Sequence, residues 1–212
     1  MKKVTLPESF TGSRLELQKA AKKLSENLSL HLEGLPPNAD VHNILQKYVS
    51  AIYPHFIPWV SAMQNSCQSP LGKYAATDNI SLEIMENHQE MLLHFMRQLS
   101  VYFNPSIYEN LPWRHIHEIN MLMAEGVKQG HGRGTSAVIY LLEETSKVFI
   151  PWMEKIAVLN KMENMEYIQK HCEADEKHSM LALDAYEAEE SFGGESGNWP
   201  VYAKNAIKGV EN

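Results

Sequence analysis

Tyr167-Ile168-Gln169-Lys170-His171-Cys172-Glu173-Ala174-Asp175-Glu176-Lys177-His178 is the stretch from which the fold of this chain is read. At about 100° of turn per helical residue, His171, Asp175 and His178 fall within an arc of roughly 60°. Steps of three and four carry that line back to Ile168 and on to Ala182 and Ala185. Two imidazoles and a carboxylate therefore stand on the apolar stripe by which a helix packs against its neighbours. Burying a carboxylate without a partner costs several kcal/mol, so a cation is expected to meet Asp175 there. A metal ion is the simplest such cation, and Cys172 is expected to point away from it.

Working outward, helical spacing recurs along the chain. A first helix is predicted over 15–32 through Leu17, Ala21, Leu24, Leu28 and Leu32, stopped by Gly34 and Pro36-Pro37. A second runs from Asp40 to Met63, bent at Pro54 and Pro58. After a turn at Ser69-Pro70-Leu71-Gly72, a third covers Tyr74 to Phe103 and a fourth Pro112 to Gln129. The fifth spans Thr135–Asn160 and the sixth Glu163–Glu190. No stretch keeps the period-two alternation of a strand beyond a few residues. The expectation is one all-α domain over 1–190 with a single core, followed by a loosely attached Gly/Ser-rich tail over 191–212.

Composition narrows the function classes. With 212 residues, 44% hydrophobic and 21% charged, the chain has the make-up of a soluble globular protein. A formal net charge of −7 without Lys/Arg clusters argues against nucleic acid as a partner. No apolar run approaches the roughly 20 residues that span a bilayer. Met1-Lys2-Lys3 is followed by no apolar segment of the secretory kind, and Cys67 and Cys172 form no disulfide framework. A cytoplasmic setting is expected.

Two further helices carry acids and imidazoles among apolar residues. In the third, Glu83, Glu86, His88, Glu90 and His94 lie among Ile80, Leu82, Met91, Leu92 and Phe95; in the fifth, Glu143 and Glu144 follow Val138-Ile139-Tyr140-Leu141-Leu142. Taken singly, such a histidine is more often a surface or hydrogen-bonded core residue, and a Glu-Glu pair a solvated face. Helical-wheel geometry does not separate Glu143 from Glu144. Together with the His171/Asp175/His178 line, however, they form the inward-turned acid and imidazole set of a metal-binding bundle. Mixed oxygen and nitrogen ligands with open positions suit iron or manganese, and iron where dioxygen is activated.

On these residues the chain resembles the heme-oxygenase-like diiron oxidases and oxygenases, whose helical bundle is shared with TenA-type thiaminase II, the PqqC oxidase and heme oxygenase. The resemblance covers roughly residues 42 to 190. Its most specific part is Tyr167-Ile168-Gln169-Lys170-His171-x-x-Ala174-Asp175-x-x-His178, similar nearly position by position to the CADD-like members. Phe56-x-Pro58 resembles an aromatic-x-Pro step of the family, and Asp78-Asn79-Ile80-x-x-Glu83 resembles the start of its first metal helix. This implies Glu83 as first carboxylate and His88 as first imidazole, with Glu86 and Glu90 as alternatives to Glu83. The four-residue spacer departs from the six of CADD-like members, and an i,i+5 pair needs a π-bulge or loosened turn to converge. Ile139-Tyr140-Leu141-Leu142-Glu143 resembles the segment holding the bridging glutamate, which favours Glu143 over Glu144.

The ligand set so implied is Glu83, His88, Glu143, His171, Asp175 and His178, holding two irons per chain, with manganese as the alternative metal. The implied activity is that of a non-heme iron-dependent oxidoreductase, using dioxygen to oxidise a small organic substrate. An amino acid, a fatty acid and an aromatic amine all remain open as that substrate. Members that make aminobenzoate from their own tyrosine carry Tyr directly before the bridging glutamate; Leu142 stands there, so that activity is not expected. Tyr140, Tyr53 and His94 are candidates to hydrogen-bond the ligating histidines. The family implies a homodimer, for which the first helix and an exposed Trp199-Pro200-Val201-Tyr202 are the candidate surfaces. Two other functions stand beside this one. A TenA-type aminopyrimidine hydrolase would need a nucleophilic cysteine in the pocket, and a non-catalytic helical protein would hold a small molecule in the same cavity.

Overall fold

Ser13 opens the first helix, α1 (Arg14–Glu33), with a capping box: its hydroxyl accepts from the Glu16 N–H, and the Glu16 carboxylate accepts from the Ser13 N–H. The computed structural model describes residues 12–36, 38–103, 113–192 and 199–211, and these are all-α, with no strand among them. The lead-in before Gly12 lies outside the described residues.

The single helix expected over 40–63 is two, α2 (Val41–Ile52) and α3 (Phe56–Ser66), parted at Tyr53-Pro54-His55. Pro54 supplies the break, because it offers no N–H to continue the ladder. Pro58 bends nothing, since it sits in the first turn of α3, where an N–H has no helical partner. The helix expected over 74–103 also divides, into α4 (Pro70–Met85) and α5 (His88–Gln98). Ser69-Pro70 is the head of α4, not a turn before it: the Ser69 hydroxyl accepts from the Gly72 N–H, and proline occupies the first helical position. Asn87, in left-handed conformation at φ 56°, makes the elbow between α4 and α5. Then come α6 (Trp113–Gln129), α7 (Gly132–Leu159), α8 (Glu166–Glu190) and α9 (Trp199–Glu211).

The long α7 and α8 run antiparallel as the central pair. Polar contacts keep them in step, with Ser146 to Asp175, Lys147 to Glu176 and Ser179 to Glu144. Buried side chains gather into two groups, one around Leu17, Trp59, Met63 and Tyr186, the other around Leu45, Phe95, Ile150 and Met153. Ile52 packs against both, and the principal cavity opens between them.

Glu189, wholly buried near the end of α8, accepts the Ser69 N–H at 2.7 Å and the Gln68 N–H at 3.0 Å. Its charge thus sits against the positive end of α4. Gly132, the first residue of α7, leaves it room: a Cβ there would lie 2.5 Å from Glu189 Oε2 and 2.6 Å from Cys67 Cα. One carboxylate joins the heads of α4 and α7 to the foot of α8.

The tail expected to be loose is instead packed from Trp199 onward. Trp199 is completely buried and meets Tyr186 edge-on at 6.0 Å, while Tyr202 and Ala203 are buried beside it as α9 lies along α1. Of the four residues expected to be exposed for a subunit contact, Trp199 and Tyr202 are turned inward and Val201 outward. Trp199→Ala is expected to lower the unfolding free energy by about 3–5 kcal/mol. Urea unfolding monitored by circular dichroism measures this, and a loss below about 1 kcal/mol would mean that α9 adds little to the fold.

Candidate metal centre

Four helices supply the site. On α8, Ile168, Asp175, His178, Ala182 and Ala185 are all buried, as their common stripe requires, and Cys172 is exposed on the other side. His171 is partly buried, and its Nδ1 donates to the carbonyl of Tyr167 one turn earlier, at 3.0 Å. That bond fixes the tautomer and leaves Nε2 as the basic nitrogen.

At the α4–α5 elbow the chain solves the i,i+5 spacing by breaking the helix. Glu83 is in the last turn of α4 and His88 opens α5, with Glu83 Oε1 3.0 Å from His88 Nδ1. Glu86 is half-buried and paired with Lys170 at 2.8 Å, and Glu90 is exposed. Neither lines the cavity, whereas Glu83 does. On α7 the structure likewise separates the glutamates. Glu143 is buried at the cavity and accepts from Asn79 Nδ2 at 2.7 Å; Glu144 is directed to Lys147 and Ser179.

Glu83, His88 and His171 converge most tightly, each offering a ligand atom within 4.8 Å of the others. The remaining three residues of the expected set face the same cavity of about 220 Å³ without joining that cluster. His178 Nδ1 lies 3.9 Å from Glu143 Oε1, and its Nε2 lies 3.8 Å from Asp78 Oδ2. Asp175 accepts a 2.6 Å hydrogen bond from the Ser146 hydroxyl.

Burial governs the electrostatics. It pushes Asp175 up to about 7, an effect the Ser146 hydrogen bond opposes and the nearby Glu83 charge reinforces. Glu143 is raised well above the ordinary carboxylate range, by burial first and then by the charge of Asp175. Burial lowers His171 to about 3 and His178 to about 4. At His88 burial works in the same direction, but the adjacent Glu83 carboxylate prevails and the pKa is raised. Lys147 pulls Asp175 and Glu143 down only weakly, and it is engaged with Glu144 at 2.5 Å and Glu176 at 3.0 Å. Among the described residues no lysine or arginine lines the cavity.

The donor set suits a transition metal. Ligands at about 2.1 Å in an octahedral arrangement stand about 3 Å apart when adjacent, the separation of Glu83 Oε1 from His88 Nδ1. The second nitrogen of His88, Nε2, is buried with no hydrogen-bond partner, its approach to Glu86 being 3.6 Å. Three carboxylates and three imidazoles on one wall match oxygen/nitrogen coordination of iron or manganese.

The residues expected to orient the histidines are only partly the ones found. His94 is exposed, Tyr140 is buried away from the cavity, and Tyr53 lines it while lending its carbonyl to Gln89. The Tyr167 carbonyl orients His171 instead, while Asn79 and Ser146 hold the carboxylates of Glu143 and Asp175, and Asp78 lies 3.8 Å from His178 Nε2. Each stands three to five positions from a ligand in its own helix or directly across from one, a helical-spacing signal that was available. The Tyr167 ring also lies tilted against His171, centroids 4.1 Å apart, and its hydroxyl meets that of Tyr48 at 3.3 Å. Comparison of the chain with protein-family models, characterised proteins and solved structures returned no match.

The raised Asp175 has a measurable consequence. The native state keeps a proton that the unfolded chain releases from about pH 4, so this group's contribution to stability falls as pH rises from about 4 to 7. Metal-free Asp175→Asn, which has no charge to bury, is expected to exceed the metal-free wild type in stability by a few kcal/mol at pH 8, the advantage fading towards pH 4. Parallel denaturant titrations across pH measure the difference. A constant difference across that window would contradict the assignment. Asn79→Leu, by removing a side-chain donor to Glu143, is expected to cost about 1–3 kcal/mol, read by the same titration at pH 7.

Proposed function

We propose that this chain is a non-heme iron oxidase or oxygenase of the heme-oxygenase-like kind, holding two metal ions in the cavity and oxidising a small organic substrate. The observation that carries the proposal is the collection of six ligand-type side chains from α4, α5, α7 and α8 on one wall of a cavity without a basic residue among its described lining. Buried carboxylates without a cationic partner are costly, and divalent ions answer that cost. Glu83, His88 and His171 would hold one ion, and Glu143, Asp175 and His178 would complete the set for the second.

Two ferrous ions would supply the activation of dioxygen and the electrons it takes up. The chain's own part is positional. The Tyr167 carbonyl fixes His171, Asn79 holds one oxygen of Glu143, and Ser146 holds one oxygen of Asp175. The apolar lining, with Leu28, Ile52, Phe56 and Phe149, keeps the space beside the ligand-type side chains apolar and limits water. Burial keeps Tyr48 and Tyr167 protonated, so both offer O–H rather than phenolate to that space.

Hydrolysis of the TenA type draws no comparable support. Neither cysteine lines the cavity: Cys172 is exposed, and Cys67 is buried between Gly132 and Ser136 with its thiol pushed up to about 12 by burial. A non-catalytic binding protein is separated from an oxidase by dioxygen uptake.

Anaerobic addition of ferrous iron is expected to load about two ions per chain, followed by optical change and oxygen consumption on exposure to air. His171→Ala should lose at least one of them. Retention of less than about 0.1 iron per wild-type chain at micromolar free metal would sink the proposal. Because protons compete for Asp175 and Glu143, metal affinity is expected to fall as pH is lowered from 8 to 6, measured by competition with a chelator of known pH dependence.

A further inference from the structure

The apolar lining of the cavity restricts what can be oxidised there. Leu28, Ile52, Phe56, Leu92, Leu142 and Phe149 form its apolar surface. The polar side chains among them are already engaged. Gln89 donates to the Tyr53 carbonyl at 2.7 Å, the Thr145 hydroxyl donates to the Leu142 carbonyl at 2.8 Å, and Ser146 donates to Asp175 at 2.6 Å. Beyond these bonds the Gln89 amide keeps a second N–H, and the tyrosine pair keeps a donor as well. The Tyr48 and Tyr167 hydroxyls share a single mutual hydrogen bond at 3.3 Å, and two O–H groups with one bond between them leave a proton for a ligand.

Charge restricts the substrate further. Every carboxylate on the described lining belongs to the ligand set, so a substrate ammonium would meet no counter-ion apart from groups already bound to metal. Desolvating such an ammonium without a partner is strongly unfavourable. A substrate carboxylate is differently placed. Two divalent ions against Glu83, Glu143 and Asp175 leave one net positive charge, which one anionic group neutralises.

Resting on the metal centre proposed above, we infer that the substrate is a monocarboxylic acid with an apolar body and no amino group. Its carboxylate sits at the ions within reach of the Tyr48–Tyr167 pair, and its hydrocarbon body lies against the Leu28–Phe149 wall. Of the three substrate classes left open by the sequence, this excludes the amino acid and the aromatic amine.

The test uses the full chain loaded with cobalt(II), whose absorption reports changes at the metal without turnover. Octanoate, octylamine and 2-aminooctanoate are titrated in parallel, since they share a chain and differ only in the head group. Octanoate is expected to bind with a change in the cobalt spectrum, and the two amines to bind at least about tenfold more weakly. Leu28→Trp, which fills part of the wall, is expected to weaken octanoate by about tenfold while leaving the cobalt spectrum without octanoate unchanged. Equal or tighter binding of either amine would overturn the inference, as would cobalt loading with no response to octanoate. Equal octanoate affinity with and without cobalt would overturn it too. Failure to take up cobalt at all would instead overturn the metal centre, and this inference with it.

Discussion

Three carboxylates and three imidazoles share one cavity from which, among the described residues, lysine and arginine are absent, and the rest of the structure answers to that constraint. Without metal, burial favours the neutral forms: Asp175 and Glu143 hold their protons and His171 and His178 give theirs up, while His88 is held in its charged form by the adjacent Glu83 carboxylate. Such an arrangement opposes folding near neutral pH and favours whatever cation can replace the protons. A stable frame around it is therefore necessary. The two apolar groups on either side of the cavity supply that frame, joined through α7 and α8.

The same constraint accounts for details that would otherwise look local. Helix breaks are unfavourable inside a bundle, yet the chain breaks at Glu86-Asn87, where Glu83 and His88, five residues apart, face one point. Neighbouring acids are sorted by what they meet: Glu83 and Glu143 inward to the cavity, Glu86 and Glu144 outward to lysines. Small polar side chains, Asn79 and Ser146, each fix one carboxylate oxygen from within one or two turns of a ligand. Each acid is thus oriented from a neighbouring helix, Glu143 on α7 by Asn79 of α4 and Asp175 on α8 by Ser146 of α7.

Much of this is legible in the sequence. Helical periodicity identifies the all-α class, and the His171/Asp175/His178 line correctly marks a buried stripe, because burial of a helix face follows directly from spacing. What periodicity misses are events within one residue. Pro54 and Asn87 divide helices whose apolar spacing continues across the break, and Pro70 starts a helix where Pro-Gly chemistry suggests a turn. Trp199 is misjudged for another reason. The Gly- and Ser-rich composition before it suggests a loose tail, but one indole and one phenol at helical spacing suffice to dock α9. The choice of Glu143 over Glu144 could not come from a wheel at all, since it depends on which neighbour, Asn79 or Lys147, each carboxylate finds.

The Glu189 clasp and the Asn87 elbow stand at opposite ends of α4, about 24 Å apart for its 16 residues. At the clasp, Glu189 of α8 accepts from the residues that lead into α4 and packs closely against Gly132, the first residue of α7. At the elbow, a lone left-handed residue carries the chain directly into His88. The two ends of α4 are accordingly held by different means, a shared buried carboxylate at its head and a single left-handed residue at its foot.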